Sequence, residues 1–207
     1  MSVLRKKRIS ICVFCGAELG NKKLYQDMAI ETGRLISKNN MRLVYGAGGR
    51  GLMGKVASGV LSLKGRIFGI TTRVIADFEE PIKGTKFKIV NNIQLRKRGF
   101  INHSDAFIAL PGGFGTFDEI FDILVGKEVI KKHSTITDRP VSKIKKKDNI
   151  LPKPLVLVDS DGYFKPFEKL LDSIIAAGFM KESNKKFFKI VKTPKEAISY
   201  IKKYVKK

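Results

Sequence analysis

The chain has 207 residues, which is enough for one substantial hydrophobic core and short for two domains. Hydrophobic residues make up 43% of the chain, which argues against general disorder, and the apolar runs are too short to span a bilayer. The formal net charge of +22 comes mainly from lysines spread along the whole chain, with few aromatic residues among them. We therefore expect a solvated basic surface that helps to attract an anionic ligand, rather than a nucleic-acid-binding protein.

The start of the chain and its two cysteines indicate a cytoplasmic protein. The basic first residues lead into a strand-like run and lack the longer apolar stretch of a signal peptide, so we expect no membrane association. Cys12 and Cys15 form a C-x-x-C motif, but no second pair accompanies them, so we expect no closed zinc site. A redox pair is an alternative; two free thiols in a reducing compartment are the interpretation that we favour.

Short apolar runs alternate with longer helical patterns along the chain. Strands are predicted at Ile9–Phe14, Arg42–Tyr45, Arg66–Ile70, Phe87–Val90, Ala106–Leu110, Leu155–Val158 and Phe187–Val191. Helices are predicted at Leu24–Asn39, Leu52–Lys64, Arg96–His103, Thr116–Lys132, Phe164–Ala177 and Pro194–Val205. Continuously apolar central strands are typical of a parallel sheet with both faces covered. The alternation predicts an α/β fold, a Rossmann-like doubly wound parallel sheet in one domain over residues 1–207.

One segment, Lys131 to Lys153, interrupts this alternation. It holds eight Lys or Arg against two Asp, contains Pro140 and Pro152, and shows little periodicity. We expect a mobile basic surface insertion that adds little to the core and helps to concentrate an anionic ligand.

A first glycine-rich loop reads GAGGRGLMG at residues 46–54, directly after a predicted strand and before a helix. Glycines let the backbone approach a phosphate closely, and a helix N-terminus offers free N–H groups to it. The loop is not a P-loop, because no Gly-Lys-Ser/Thr follows, and it lacks the usual spacing of a dinucleotide-binding loop.

A second glycine-rich loop reads PGGFGTFDE at residues 111–119, again between a predicted strand and a helix. Thr116 and Glu119 fit a T-x-x-E capping box, so one interpretation is that Glu119 only caps its helix. The other is that Glu119 faces a ligand that carries both a phosphate and a centre of developing positive charge. A ribose 5-phosphate unit passing through an oxocarbenium-like state is such a ligand.

The two loops, with Arg96-Lys97 fifteen residues before Pro111, resemble the Lonely Guy family. Its members are cytokinin riboside 5′-monophosphate phosphoribohydrolases, which are often labelled as lysine decarboxylases. The likeness extends from Ile11 to Phe179 and includes the strings SDAFIAL at 104–110 and DSDGY at 159–163.

The resemblance implies a Rossmann-like homodimer that hydrolyses the N-glycosidic bond of a nucleoside 5′-monophosphate, such as AMP or its cytokinin counterpart. It implies no metal and no cofactor. The family's catalytic pair falls on Arg96 and Glu119: the arginine would orient the substrate, and the glutamate would bind ribose hydroxyls, stabilise the oxocarbenium and position water. The residues that would bind phosphate and ribose are Gly48, Gly49, Gly51, Arg96, Lys97, Gly112, Gly113, Gly115 and Thr116.

The chain departs from the family where the resemblance implies the base pocket. The family's Thr-Trp-x-Gln-Leu-Gly falls on Val125, Gly126, Glu128, Val129 and Ile130, and the basic segment follows. The sequence therefore leaves the preferred base open.

Nucleic-acid binding would rest on the charge alone, and two other functions are alternatives. A lysine decarboxylase would need pyridoxal phosphate on a Schiff-base lysine, and no lysine here is distinguished from the rest. A nucleotide or molybdopterin carrier would share the glycine-rich loops but has no need of a carboxylate that faces a sugar. Arg96, in turn, could be an ordinary solvated arginine of a basic helix start.

Overall fold

The computed structural model describes residues 8–80, 82–136 and 150–205. In these ranges the strands are β1 (Ser10–Phe14), β2 (Arg42–Tyr45), β3 (Arg66–Thr72), β4 (Lys86–Val90), β5 (Ala106–Ala109), β6 (Leu155–Val158) and β7 (Phe188–Val191). The helices are α1 (Lys23–Lys38), α2 (Gly51–Leu61), α3 (Arg73–Ala76), α4 (Ile93–His103), α5 (Phe114–Ile136), α6 (Lys165–Ala176) and α7 (Pro194–Val205). A 3₁₀ helix, Glu182–Phe187, precedes β7.

The strands form one sheet in the order β4-β3-β2-β1-β5-β6-β7, and every neighbouring pair is parallel. The chain therefore builds outward from β1 to β4, then returns to the other side of β1 with β5. This confirms the predicted Rossmann-like doubly wound sheet. In such sheets the change of direction, here between β1 and β5, opens a crevice at the carboxyl ends of the strands.

Both faces of the sheet are covered, because alternate residues of its strands enter different cores. On β1, Ile11 and Val13 pack in a cluster with buried residues of α1, α2 and α7. Cys12 and Phe14 pack on the other side, with buried residues of α4, α5 and α6. Burial on both sides explains why β5 and β6 are apolar at every position.

The predicted strands and long helices are confirmed, with small differences at their ends. Helix α4 begins at Ile93, three residues before the predicted start, because the Asn92 side chain caps it by accepting a hydrogen bond from Leu95 N at 2.8 Å. The short helix α3 and the 3₁₀ helix were not predicted, since neither is long enough to show a period of 3.6 residues.

The expectation that residues 131–153 add little to the core is wrong at the C-terminal end of that segment, and its first residues belong to a helix. Helix α5 continues to Ile136, and Ile150 is 3% exposed within the core cluster of α4, α5 and α6. Ile150 packs beside Gly126: a Cβ added to Gly126 would lie 3.4 Å from Cγ2 of Ile150. Residues 137–149, with most of the basic charge, lie outside the described residues.

Cys12 and Cys15 are buried, and neither forms a disulfide. Burial raises the pKa of both thiols well above its ordinary value, so neither side chain supplies the thiolate that a redox pair needs. The interpretation as free thiols is confirmed. None of the helices in the described part of the chain is both long and apolar enough to cross a membrane.

Candidate active site

Arg96 lies on α4 but is held by groups from three other elements. Its Nε donates to Ile70 O of β3 at 3.0 Å and its Nη2 to Gly46 O, just after β2, at 3.3 Å, so the backbone at these two strands fixes the guanidinium. The guanidinium also lies over the ring of Phe100, 5.0 Å from its centroid. Nη1 is 3.8 Å from Oε1 of Glu119, and the side chain is 12% exposed. The alternative of a solvated surface arginine is therefore wrong.

Glu119 is brought to Arg96 by the first turns of α5. The helix begins at Phe114, because the Gly113 carbonyl already accepts hydrogen bonds from the N–H groups of Thr116 and Phe117. Thr116 thus lies inside the helix, and the capping box suggested by T-x-x-E does not form. Burial raises the pKa of Glu119 to about 7, although the nearby Arg96 lowers it. A carboxyl group of this kind changes its charge near neutral pH.

The loop that precedes α5 lies at the carboxyl end of β5, beside the segment after β1, since Gly16 N donates to Pro111 O. Gly113 and Gly115 are exposed, and a Cβ at either position would contact nothing within 4 Å. Gly112 is closely enclosed: its Cβ would lie 2.6 Å from Gly16 N. Thr116 is 3% exposed, and its hydroxyl has no hydrogen-bond partner among the described residues. An open helix N-terminus with an unsatisfied buried hydroxyl suits an anion.

The glycines of the first loop are required by close contacts with protein atoms. A Cβ at Gly48 would lie 2.3 Å from Oε1 of Glu79, and one at Gly49 would lie 2.6 Å from a backbone oxygen of the segment after α3. Gly51 has a φ of +54°, and its Cβ would lie 1.9 Å from Ala17 O. Neighbouring protein segments thus pack tightly against this loop. Its predicted contact with ribose phosphate stays a prediction.

Lys97 joins α4 to α5. Its Nζ is 3.0 Å from Asp118 Oδ1 and 3.4 Å from Asp122 Oδ1, and the side chain is 19% exposed. The structure therefore engages Lys97 with two carboxylates, and its predicted contact with the ligand phosphate stays a prediction.

Two residues of this site were missed in the sequence. Gly46 accepts from Arg96, and a Cβ there would lie 2.2 Å from Arg96 Nη2, so only glycine leaves room for the guanidinium. Glu79 is 8% exposed, and its Oε1 has no hydrogen-bond partner among the described residues. Glu79 follows the unpredicted α3, and nothing in the local sequence distinguishes it from Glu80. Neither contact could be found without the tertiary structure.

The arrangement thus combines an open helix N-terminus, a guanidinium and two buried carboxyl groups at one edge of the sheet. Backbone N–H groups and the helix dipole favour an anionic group at the start of α5. The carboxylate of Glu119, about one and a half turns after the start of α5, can stabilise positive charge that develops on a ligand bound there. Within the described residues no cluster of three or more His, Cys, Asp or Glu could hold a metal ion.

Comparison with known proteins relates this geometry to a family. A family model described as "Possible lysine decarboxylase" matches residues 53–201. A probable cytokinin riboside 5′-monophosphate phosphoribohydrolase of Oryza sativa subsp. japonica is 33% identical over 205 residues, covering 98% of this chain and 75% of the relative. A cytokinin riboside 5′-monophosphate phosphoribohydrolase of Arabidopsis thaliana is 30% identical over 207 residues, covering 99% of this chain and 82% of the relative.

Solved structures share the fold at lower identity. The molybdenum cofactor carrier protein of Chlamydomonas reinhardtii superimposes with a TM-score of 0.66 at 16% identity, covering 97% of this chain and all of that chain. The molybdenum cofactor binding protein of Rippkaea orientalis gives a TM-score of 0.61 at 18% identity, covering 96% of this chain and 98% of that chain. Likeness at this identity shows the fold alone. The family model and the relatives along nearly the whole chain show more: this chain belongs to the Lonely Guy family, whose curated members are named cytokinin riboside 5′-monophosphate phosphoribohydrolases.

Proposed function

We propose that this protein hydrolyses the N-glycosidic bond of a nucleoside 5′-monophosphate and releases the free base and ribose 5-phosphate. The observation that carries the proposal is the meeting of Arg96 and Glu119, 3.8 Å apart, beside the open N-terminus of α5. The relatives whose names state this activity, with cytokinin riboside 5′-monophosphates as substrates, support it.

The 5′-phosphate binds, in this proposal, at the start of α5. The exposed backbone at Gly113, just before the helix, and at Gly115, in its first turn, lets phosphate oxygens approach, and the Thr116 hydroxyl is available as a further donor. Because the first N–H groups of a helix have no acceptor within it, the phosphate supplies one at no cost to the fold. A nucleoside without the phosphate loses these contacts.

Glu119 acts at the ribose. In the reaction the bond between C1′ and the base nitrogen breaks, and its electron pair leaves with the base. Positive charge develops at C1′ and the ring oxygen, where the ionised carboxylate of Glu119 stabilises it. Water then forms the new bond to C1′, and one water proton ends on the departing base. Arg96 holds the Glu119 carboxylate in place and balances its charge before the substrate arrives.

Glu79 supplies a second carboxylate beside the first glycine-rich loop. Its buried Oε1 lacks a partner in the described part of the chain, which is costly unless a ligand donates to it. We propose that it accepts hydrogen bonds from ribose hydroxyls, which are donors that a nucleoside monophosphate carries.

A second copy of the chain is the proposed partner, and the cytoplasm is the proposed compartment. Helices α4 and α5 are linked by the ion pair of Lys97 with Asp118. They carry four exposed apolar side chains, namely Leu95, Phe114, Val125 and Val129. Phe114 is 98% exposed, which is unusual for phenylalanine in a monomer. Sedimentation of the purified protein should give twice the mass of one chain, and a monomer at micromolar concentration would contradict this. Two unpaired cysteines accord with a reducing compartment.

Incubation with nucleotides tests the proposed reaction. Purified protein is mixed with AMP or an N6-substituted AMP and with the matching nucleosides, and free base is measured by chromatography. We expect base release from the monophosphates and none from the nucleosides. Equal turnover of adenosine and AMP would contradict the role of the phosphate, and tight binding of AMP without turnover would favour a carrier.

A further inference from the structure

Two hydrogen bonds fix the peptides at the start of the loop before α5. Gly16 N donates to Pro111 O at 3.1 Å, and the Tyr163 hydroxyl donates to Gly112 O at 2.5 Å. In a trans peptide the C=O and the following N–H point in opposite directions. The anchored carbonyls therefore turn the N–H groups of Gly112 and Gly113 away from their anchors. In the described part of the chain neither N–H donates to a protein acceptor.

Tyr163 is itself held rigidly by its aromatic neighbours. Its ring stacks on Phe117 of α5 at 6.4 Å and meets Phe164 edge-on at 5.1 Å and Tyr25 edge-on at 6.0 Å. The Tyr25 hydroxyl donates to Asp161, so the ring that borders Tyr163 is fixed as well. These ring contacts fix the position of the phenol oxygen, and the Gly112 carbonyl is the acceptor within its reach.

The turn that carries Tyr163 is set by the end of β6. The buried carboxylate of Asp159 accepts from Gly162 N at 2.7 Å and from Phe164 N at 3.3 Å, and Gly162 has a φ of +88°. The position of Tyr163 thus follows from the end of β6, which holds its hydroxyl at a defined place beside the glycine-rich loop.

We propose that Tyr163 is a positioning residue of the phosphate site, which sets the direction of the Gly113 N–H through the Gly112 carbonyl. The inference rests on the proposed function, because it takes the phosphate to bind at the start of α5. The unsatisfied hydroxyl of Thr116, 97% buried beside Gly112, independently indicates a ligand there. Without the hydroxyl of Tyr163, the Gly112–Gly113 peptide can rotate, and its N–H is no longer held toward the phosphate.

The substitution Tyr163→Phe tests this, because it keeps the ring contacts and removes only the hydrogen bond. Calorimetry measures binding of ribose 5-phosphate, and kinetics measure AMP hydrolysis. We expect about tenfold weaker binding of ribose 5-phosphate and a KM for AMP raised about tenfold, with kcat changed less than about threefold. A phosphate contact stabilises the bound substrate and the transition state equally, so its loss raises KM alone. Tyr204→Phe, which removes an exposed hydroxyl on α7, is the matched control and should change neither value.

Binding and turnover separate the two proposals. If the wild-type protein binds ribose 5-phosphate without hydrolysing AMP, the proposed function fails while the ratio of the two dissociation constants still decides the role of Tyr163. Unchanged affinity in Tyr163→Phe, or a fall in kcat with unchanged KM, would overturn the positioning role. A wild-type protein that hydrolyses AMP but binds no ribose 5-phosphate would overturn the positioning role alone, and one that does neither would overturn both proposals.

Discussion

Glu119 combines a raised pKa with a neighbouring guanidinium. Burial dominates and raises the pKa to about 7, and the attraction of Arg96 only partly offsets it. Because folding takes this carboxyl from water into the protein, its ionised form carries a free-energy cost above pH 7. Such a cost is expected where a charge serves a reaction rather than stability.

The substitution Glu119→Gln should reveal this cost as a dependence of stability on pH. The folded protein binds the Glu119 proton more tightly than the unfolded chain, so the free energy of unfolding falls as pH rises from 4.5 to about 7. The variant lacks this decline. Over that range its stability relative to wild type should improve by on the order of 2–3 kcal/mol, measured by urea unfolding.

Glu168→Gln, an exposed acid on α6, is the control for Glu119→Gln and should show no such change. A difference between Glu119→Gln and wild type that is the same at pH 5 and pH 8 would refute the raised pKa.

Gly46 gives a second prediction at the level of single residues. A methyl group at Gly46 would lie 2.2 Å from Arg96 Nη2, so Gly46→Ala must displace the guanidinium. Displacement of a catalytic group by about 1 Å costs on the order of 10²-fold in rate, and we expect such a loss in kcat/KM for AMP. The melting temperature should fall only modestly, since the lost contacts lie at the rim of the sheet. Full activity in this variant would show that Arg96 has no catalytic role.

Helix α5 serves both the site and the core. Its first turns carry Glu119, and its middle is joined to the end of the basic segment. Lys127, 3% exposed, donates to Leu151 O at 2.9 Å and Lys153 O at 2.7 Å, and burial lowers its pKa to about 8. Gly126 stands where the family has tryptophan, and Ile150 packs against it. Gly126, where this chain departs from the family motif, is therefore also the residue against which the end of the basic segment packs in the core.

Ile150→Ala tests whether this end of the segment is part of the core. Removing three buried carbons next to Gly126 leaves a cavity, so the free energy of unfolding should fall by about 2–4 kcal/mol. Leu63→Ala removes a comparable side chain that is 43% exposed and should cost less than about 1 kcal/mol. Denaturant unfolding measures both. Equal, small effects of the two substitutions would restore the interpretation of a surface insertion.

The sequence predicts elements well where local patterns are long, and contacts poorly where they depend on the whole fold. Apolar runs suffice for the sheet and its long helices, and the second glycine-rich loop indicates Glu119, whereas Arg96 was found only through the family resemblance. The T-x-x-E pattern gave a wrong capping prediction, because α5 begins at Phe114, two residues before Thr116, and the Gly113 carbonyl accepts the first hydrogen bonds. Glu79 could not be found, since its burial depends on the first loop 31 residues earlier. Composition alone cannot show that Ile150 returns to the core.

The charge of +22 makes a prediction for the molecule as a whole. A strongly basic surface raises the local concentration of an anionic substrate, and salt screens this attraction over about 8–10 Å near physiological ionic strength. The KM for AMP should therefore rise severalfold from low to high ionic strength, with kcat nearly constant. Steady-state kinetics in a series of salt concentrations measure both. A KM that is independent of salt would show that the charge is solvated and without influence on substrate.

The most direct test of the whole account is the turnover of AMP by Glu119→Gln. If Glu119 stabilises positive charge at the ribose, kcat should fall by on the order of 10²–10³-fold. Binding of ribose 5-phosphate should stay within about threefold of wild type, because the phosphate contacts lie at the start of α5 and are untouched. The control Glu168→Gln should keep full activity. A near-normal kcat in Glu119→Gln would contradict the account, since it would leave the buried carboxyl without a part in the reaction.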